Sequence, residues 1–90
     1  MSKEHWPLSC PEVKRVLTNL GFTSRPKKGT SHEQWIGQIK GQFRKVTVDC
    51  PQAPFTQNLI KWMANQAGVT KKEFYAALDS EEAKKIAEKK

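Results

Sequence analysis

Apolar positions along the chain change their spacing from helical to alternating and back again. Val13, Val16, Leu17 and Leu20 recur at i, i+3, i+4 and i+7 and make one apolar stripe. Ser9 and Glu12 have the spacing of a capping box, and Pro11 falls in the first turn, where a missing N–H costs nothing. Leu8 is placed to staple onto Val13. A helix is therefore predicted from Ser9 to Leu20, ended by Gly21. From Phe22 the period shortens. Phe22–Arg25 reads as a short strand, Lys27-Lys28-Gly29 as a turn, and Ser31–Ile36 as a second strand. A loop around Gly37–Gly41 leads to a third strand, Phe43–Asp49. In that strand Val46 and Val48 point to one face, Lys45 and Thr47 to the other.

Helical spacing then returns. Phe55 and Thr56 repeat the staple and cap, with Ile60 at the stapled position. Leu59, Ile60, Met63, Ala64 and Ala67 form the stripe, and Gly68 stops it. Thr70 and Glu73 make a further capping box, with Val69 stapling onto Phe74, for a short helix to about Leu78. Residues 79–90 are rich in Ala, Glu and Lys, with Ile86 as the one large apolar side chain, and read as a charged, solvent-facing helical tail. Residues 1–8 read as a flexible arm.

The fold class predicted is α+β: a three-stranded antiparallel sheet with helices packed on one face. The α-β-β-β-α order is that of a double-stranded-RNA-binding-domain-like fold. At 90 residues the chain makes one domain with a modest core. No apolar run approaches the roughly 20 residues of a membrane span, and the start lacks the apolar stretch of a signal peptide. With only Cys10 and Cys50, neither a disulfide framework nor metal-ligand spacing is present. The expectation is two reduced thiols, with a single Cys10–Cys50 bridge as the lesser alternative, no metal, no small-molecule cofactor, no membrane association and a cytoplasmic location.

The net charge is +7 and unevenly spread. Residues 22–48 carry Arg25, Lys27, Lys28, Lys40, Arg44 and Lys45 against Glu33 alone, a local excess of +5. Clustered positive charge on a small domain suits a nucleic-acid partner, although solvated lysines also keep small proteins soluble. Within this segment, His32 follows a basic, glycine-containing turn at the start of a predicted strand. Histidine gives and takes protons near neutral pH. RNA carries its own nucleophile, the 2′-hydroxyl, beside each phosphate. His32 is therefore a candidate general base, a role worth about 10²–10⁴-fold. Arg25, Lys27 and Lys28, with the amides of Gly29 and Thr30, are candidates to hold the phosphate, and Ser31, opening the second strand, is a candidate RNA contact beside them. Lys40, Arg44 and Lys45 would extend the basic surface. The leaving 5′-oxygen also needs a proton, from His32 acting twice, a lysine or water. Trp35 and Phe43 suit either the core or base stacking. Trp62 lies off its helix's stripe and suits packing on the sheet or a partner.

These features together resemble the HicA family of toxins, small ribonucleases of toxin–antitoxin modules. Leu20-Gly21-Phe22 is similar to the family's Leu-x-x-x-Gly-Phe, and Lys28-Gly29-Thr30-Ser31-His32 to its Lys-Gly-Ser-His. Val46-Thr47-Val48 resembles its Val-Thr-Val, and Gln66-Ala67-Gly68-Val69 its closing Ala-Gly-Leu. The likeness covers roughly residues 9–78. Thr30 adds a residue before Ser-His, and Asp49-Cys50 separates Val48 from Pro51. The resemblance implies an endoribonuclease acting on mRNA, with His32 as the catalytic histidine, held inactive by a HicB-like antitoxin. Two other readings stay open: a non-catalytic RNA-binding module using the same basic surface, and a basic adaptor for an acidic protein.

Overall fold

Ser9 and Glu12 form the expected reciprocal cap: Ser9 N–H donates to Glu12 Oε1 at 2.9 Å and Glu12 N–H to Ser9 Oγ at 3.3 Å. Helix α1 (Cys10–Asn19) follows and buries Val13, Val16 and Leu17. It closes with paired bonds, Phe22 N–H to Leu17 O and Gly21 N–H to Thr18 O, the Schellman arrangement, and Phe22 is buried beneath it. The chain then runs through β1 (Thr23–Pro26), β2 (His32–Ile39) and β3 (Gln42–Asp49), a 3₁₀ turn at Cys50–Gln52, α2 (Gln57–Ala67), α3 (Lys71–Ala76) and α4 (Ser80–Glu88). This computed structural model describes residues 7–26 and 32–88.

The sheet is antiparallel throughout, in the order β1-β2-β3. Lys40 and Gly41 alone join β2 to β3, both at positive φ (53° and 82°), as a type I′ hairpin turn requires. The predicted loop at Gly37–Gly41 is thus too long. Gly37 lies inside β2, where a Cβ would come within 3.0 Å of Phe22 Cα. Glycine there lets the end of α1 approach the sheet.

Trp35 and Ile39 of β2 and Val46 and Val48 of β3 are buried on the face covered by helices. α2 lies along β3, where Gln66 Oε1 accepts the Thr47 N–H at 3.1 Å, and buries Ile60, Met63, Ala64 and Ala67. Thr56 caps α2 without a side-chain bond, whereas the Thr70–Glu73 box at α3 is complete. Gly68, at φ 79°, ends α2 as expected.

Three further expectations need correction. The segment read as a solvent-facing tail contains α4, which packs on α1, α3 and β2 with Ala83 and Ile86 buried. Leu8, assigned to the arm, is fully buried and pairs with Phe55 through two backbone bonds. Cys10 and Cys50, read as reduced thiols, form a disulfide with their Cα atoms 5.3 Å apart. Like the Leu8–Phe55 bridge, it ties the start of α1 to the segment between β3 and α2. Among the described residues, no helix is long and apolar enough to cross a membrane.

Candidate active site on the open sheet face

Strand alternation divides the hairpin. With Trp35, Ile39, Val46 and Val48 turned to the helices, His32, Gln34 and Ile36 of β2 and Lys45, Thr47 and Asp49 of β3 lie on the opposite face. Register adds Arg25, which lies across from Gln34. The two-residue turn sets His32 directly opposite Asp49 at the far end of the hairpin. His32 Nε2 lies 3.2 Å from Asp49 Oδ2, with the imidazole half-exposed and the carboxylate more sheltered. Gln52, from the 3₁₀ turn, donates its Nε2–H to the same Oδ2 at 3.3 Å. An imidazole, a carboxylate that orients it and an amide that orients the carboxylate are thereby brought together at one end of the sheet. Such a pair can hold an imidazole in place to take up and pass on a proton.

Beside this pair is a cavity of about 240 Å³. Its apolar wall is made by Phe55, Leu59, Trp62 and Met63; His32, Thr47, Asp49 and Gln52 form the polar side. Trp62 is 61% exposed. Leu59 and Met63 lie at the cavity edge of the apolar stripe of α2, and Trp62, off that stripe, extends the wall outward.

The sequence-derived site residues separate into groups. His32, Arg25 and Lys45 share the open face, with Arg25 and Lys45 exposed. Lys27, Lys28, Gly29, Thr30 and Ser31 lie outside the described residues. Lys40 sits in the turn at the other end of the hairpin, beyond Ile39, which is about 23 Å from His32 at 3.3 Å per residue. Its Nζ is 3.3 Å from Glu73 Oε1. Arg44 falls on the helix-covered side, packs against Gly68 and donates to Gln42 Oε1 at 2.8 Å. The structure therefore does not bring Lys40 and Arg44 together with His32. Of the two aromatics on the hairpin, Trp35 is in the core and Phe43 is 65% exposed.

Asp49, Gln52 and the cavity wall were not identified from the sequence. A two-residue turn at Lys40-Gly41 would have been the signal for Asp49, since that register alone pairs positions 32 and 49. Among the described residues, no group of three or more His, Cys, Asp or Glu side chains could hold a metal ion. The chain matches no protein-family model, no curated protein and no solved structure.

Proposed function

We propose that this protein is a metal-independent endoribonuclease that cleaves mRNA in the cytoplasm, the toxin of a type II toxin–antitoxin module of HicA type, inhibited by a HicB-like antitoxin. The observation that carries the reading is the His32–Asp49 pair on an open sheet face that also bears Arg25 and Lys45. The α-β-β-β-α order, read as a double-stranded-RNA-binding-domain-like fold, supports it, as do the motifs around His32.

In the proposed reaction, Asp49 orients the imidazole through Nε2, and His32 takes the proton of a ribose 2′-hydroxyl. The 2′-oxygen attacks the adjacent phosphorus as the bond to the 5′-oxygen breaks, leaving a 2′,3′-cyclic phosphate. The departing 5′-oxygen takes a proton from the imidazolium, a lysine or water. Arg25 and Lys45, with the lysines that precede His32 in the sequence, neutralise the charge growing on the phosphate. An antitoxin that covers this face needs acidic or aromatic groups to complement it.

The test is cleavage of mRNA by purified protein, beside growth arrest on induced expression. His32→Ala is expected to lose 10²–10⁴-fold in cleavage with circular dichroism unchanged, and to relieve arrest. Asp49→Asn should fall between His32→Ala and wild type. A 2′-deoxy sugar at the cleaved position should block the reaction, and chelators should not. Equal cleavage by His32→Ala and wild type would overturn the proposal.

A further inference from the structure

Proton transfer uses only the polar side of the cavity and leaves its apolar wall unexplained. Phe55 and Met63 are buried and Leu59 is half-buried, yet Trp62 beside them stands 61% exposed. We propose that this cavity is a subsite for one unpaired nucleobase, stacked on Trp62 next to the phosphate over His32 and Asp49. The inference rests on the ribonuclease reading and specifies its substrate: single-stranded or looped RNA with a base free to leave the stack.

Size, chemistry and charge support this occupant. At about 240 Å³ the cavity falls below the roughly 300–1,000 Å³ of pockets for drug-sized ligands, and suits a single flat ring system. Thr47 and Gln52 on its polar side offer hydrogen-bonding groups to a base edge, while the indole offers a stacking surface to any base. Lys45 is the next residue after Thr47 on the same face of β3, about 7 Å along the strand, and is exposed. Arg25, across Gln34 from Thr47, is a second exposed cation on that face, and cations beside an aromatic-walled pocket suit single-stranded nucleic acid: cations hold the backbone and aromatics take the bases. An apolar side chain of a protein partner would fill the same wall but would not need the cations beside it.

The test measures the affinity of the whole protein for short 2′-deoxy oligonucleotides, which lack the attacking hydroxyl. The same oligonucleotides are then made abasic at each position in turn. Wild type should lose about 10- to 100-fold at one abasic position. Trp62→Ala should show that loss with the intact oligonucleotide and no further loss at that position, and Trp62→Phe should recover most of it. Because Trp62 is exposed, the melting curve of Trp62→Ala should stay near wild type. The proposal is overturned if Trp62→Ala binds like wild type, as a pocket for a protein side chain would allow. It is also overturned if the abasic and Trp62→Ala losses add. If wild type shows the Trp62-dependent base signature but never cleaves RNA, the ribonuclease reading falls and the subsite stands.

Discussion

Replacing Ile86 by alanine asks whether the last helix belongs to the body of the protein. Ile86 is 6% exposed and Ala83, one turn earlier, is fully buried, so α4 turns a narrow apolar edge onto α1 and β2. Truncating a buried isoleucine to alanine costs about 2–5 kcal/mol, from lost burial and from the cavity left behind. α4 holds on through a narrow edge, Ala83 and Ile86, and can settle into part of that space, which favours the lower end, about 2–3 kcal/mol. For a domain of this size each kcal/mol moves the melting temperature by about 4–8 °C, so a fall of roughly 10–20 °C is expected. In urea the midpoint should drop by about 1–2 M with the slope unchanged. Lys85→Ala is the control. Its side chain is 74% exposed and 4.0 Å from Glu82, a contact that contributes about 0.5 kcal/mol at most. If Ile86→Ala melts no earlier than Lys85→Ala, α4 is not packed in solution and the buried edge is wrong. The site is linked to this helix, because Ala87 O accepts the Lys40 N–H at 3.1 Å and so steadies the turn that sets the hairpin register.

Other outcomes follow from the same contacts. Cys10 and Cys50 close a loop with a sequence separation of 40, so Cys10→Ser or reductant should cost about 4 kcal/mol, read as a lower urea midpoint. No change on reduction would show that the crosslink adds nothing. Gly68→Ala should destabilise by more than about 1 kcal/mol, because φ is 79° and the added Cβ would lie 2.6 Å from Arg44 Nε. An unchanged melting temperature would contradict that backbone geometry. Burial, and secondarily the nearby Glu12 carboxylate, raise the Tyr75 hydroxyl above its ordinary pKa of 10.0. The neutral phenol is favoured in the folded state, so its contribution is intact below pH 10 and is lost as pH rises through the raised value. Urea melts on either side of pH 10 should show a loss of stability that Tyr75→Phe reduces; equal losses in both proteins would refute it.

Features settled within a turn or two of chain were legible in the sequence. The Ser9–Glu12 and Thr70–Glu73 caps, the stripes of α1 and α2 and the stop at Gly68 each depend on groups three to five residues apart. Strand alternation likewise turned Val46 and Val48 inward and Lys45 outward. His32 was readable as a candidate because its chemistry and basic neighbourhood are local. What the tertiary structure decided depends on groups distant in sequence. Gly37 was read as part of a loop because its reason, Phe22 at 3.0 Å, comes from another element. Ile86 alone cannot make a stripe, and it is buried only because α1 and β2 supply a surface for it. Register is the clearest case: a two-residue turn pairs His32 with Asp49, and its alternation puts Arg44 on the covered side and Lys45 on the open one. It also buries Trp35 while exposing Phe43. A one-residue change in turn length would exchange the faces of every side chain on one strand, so composition alone could not assign them.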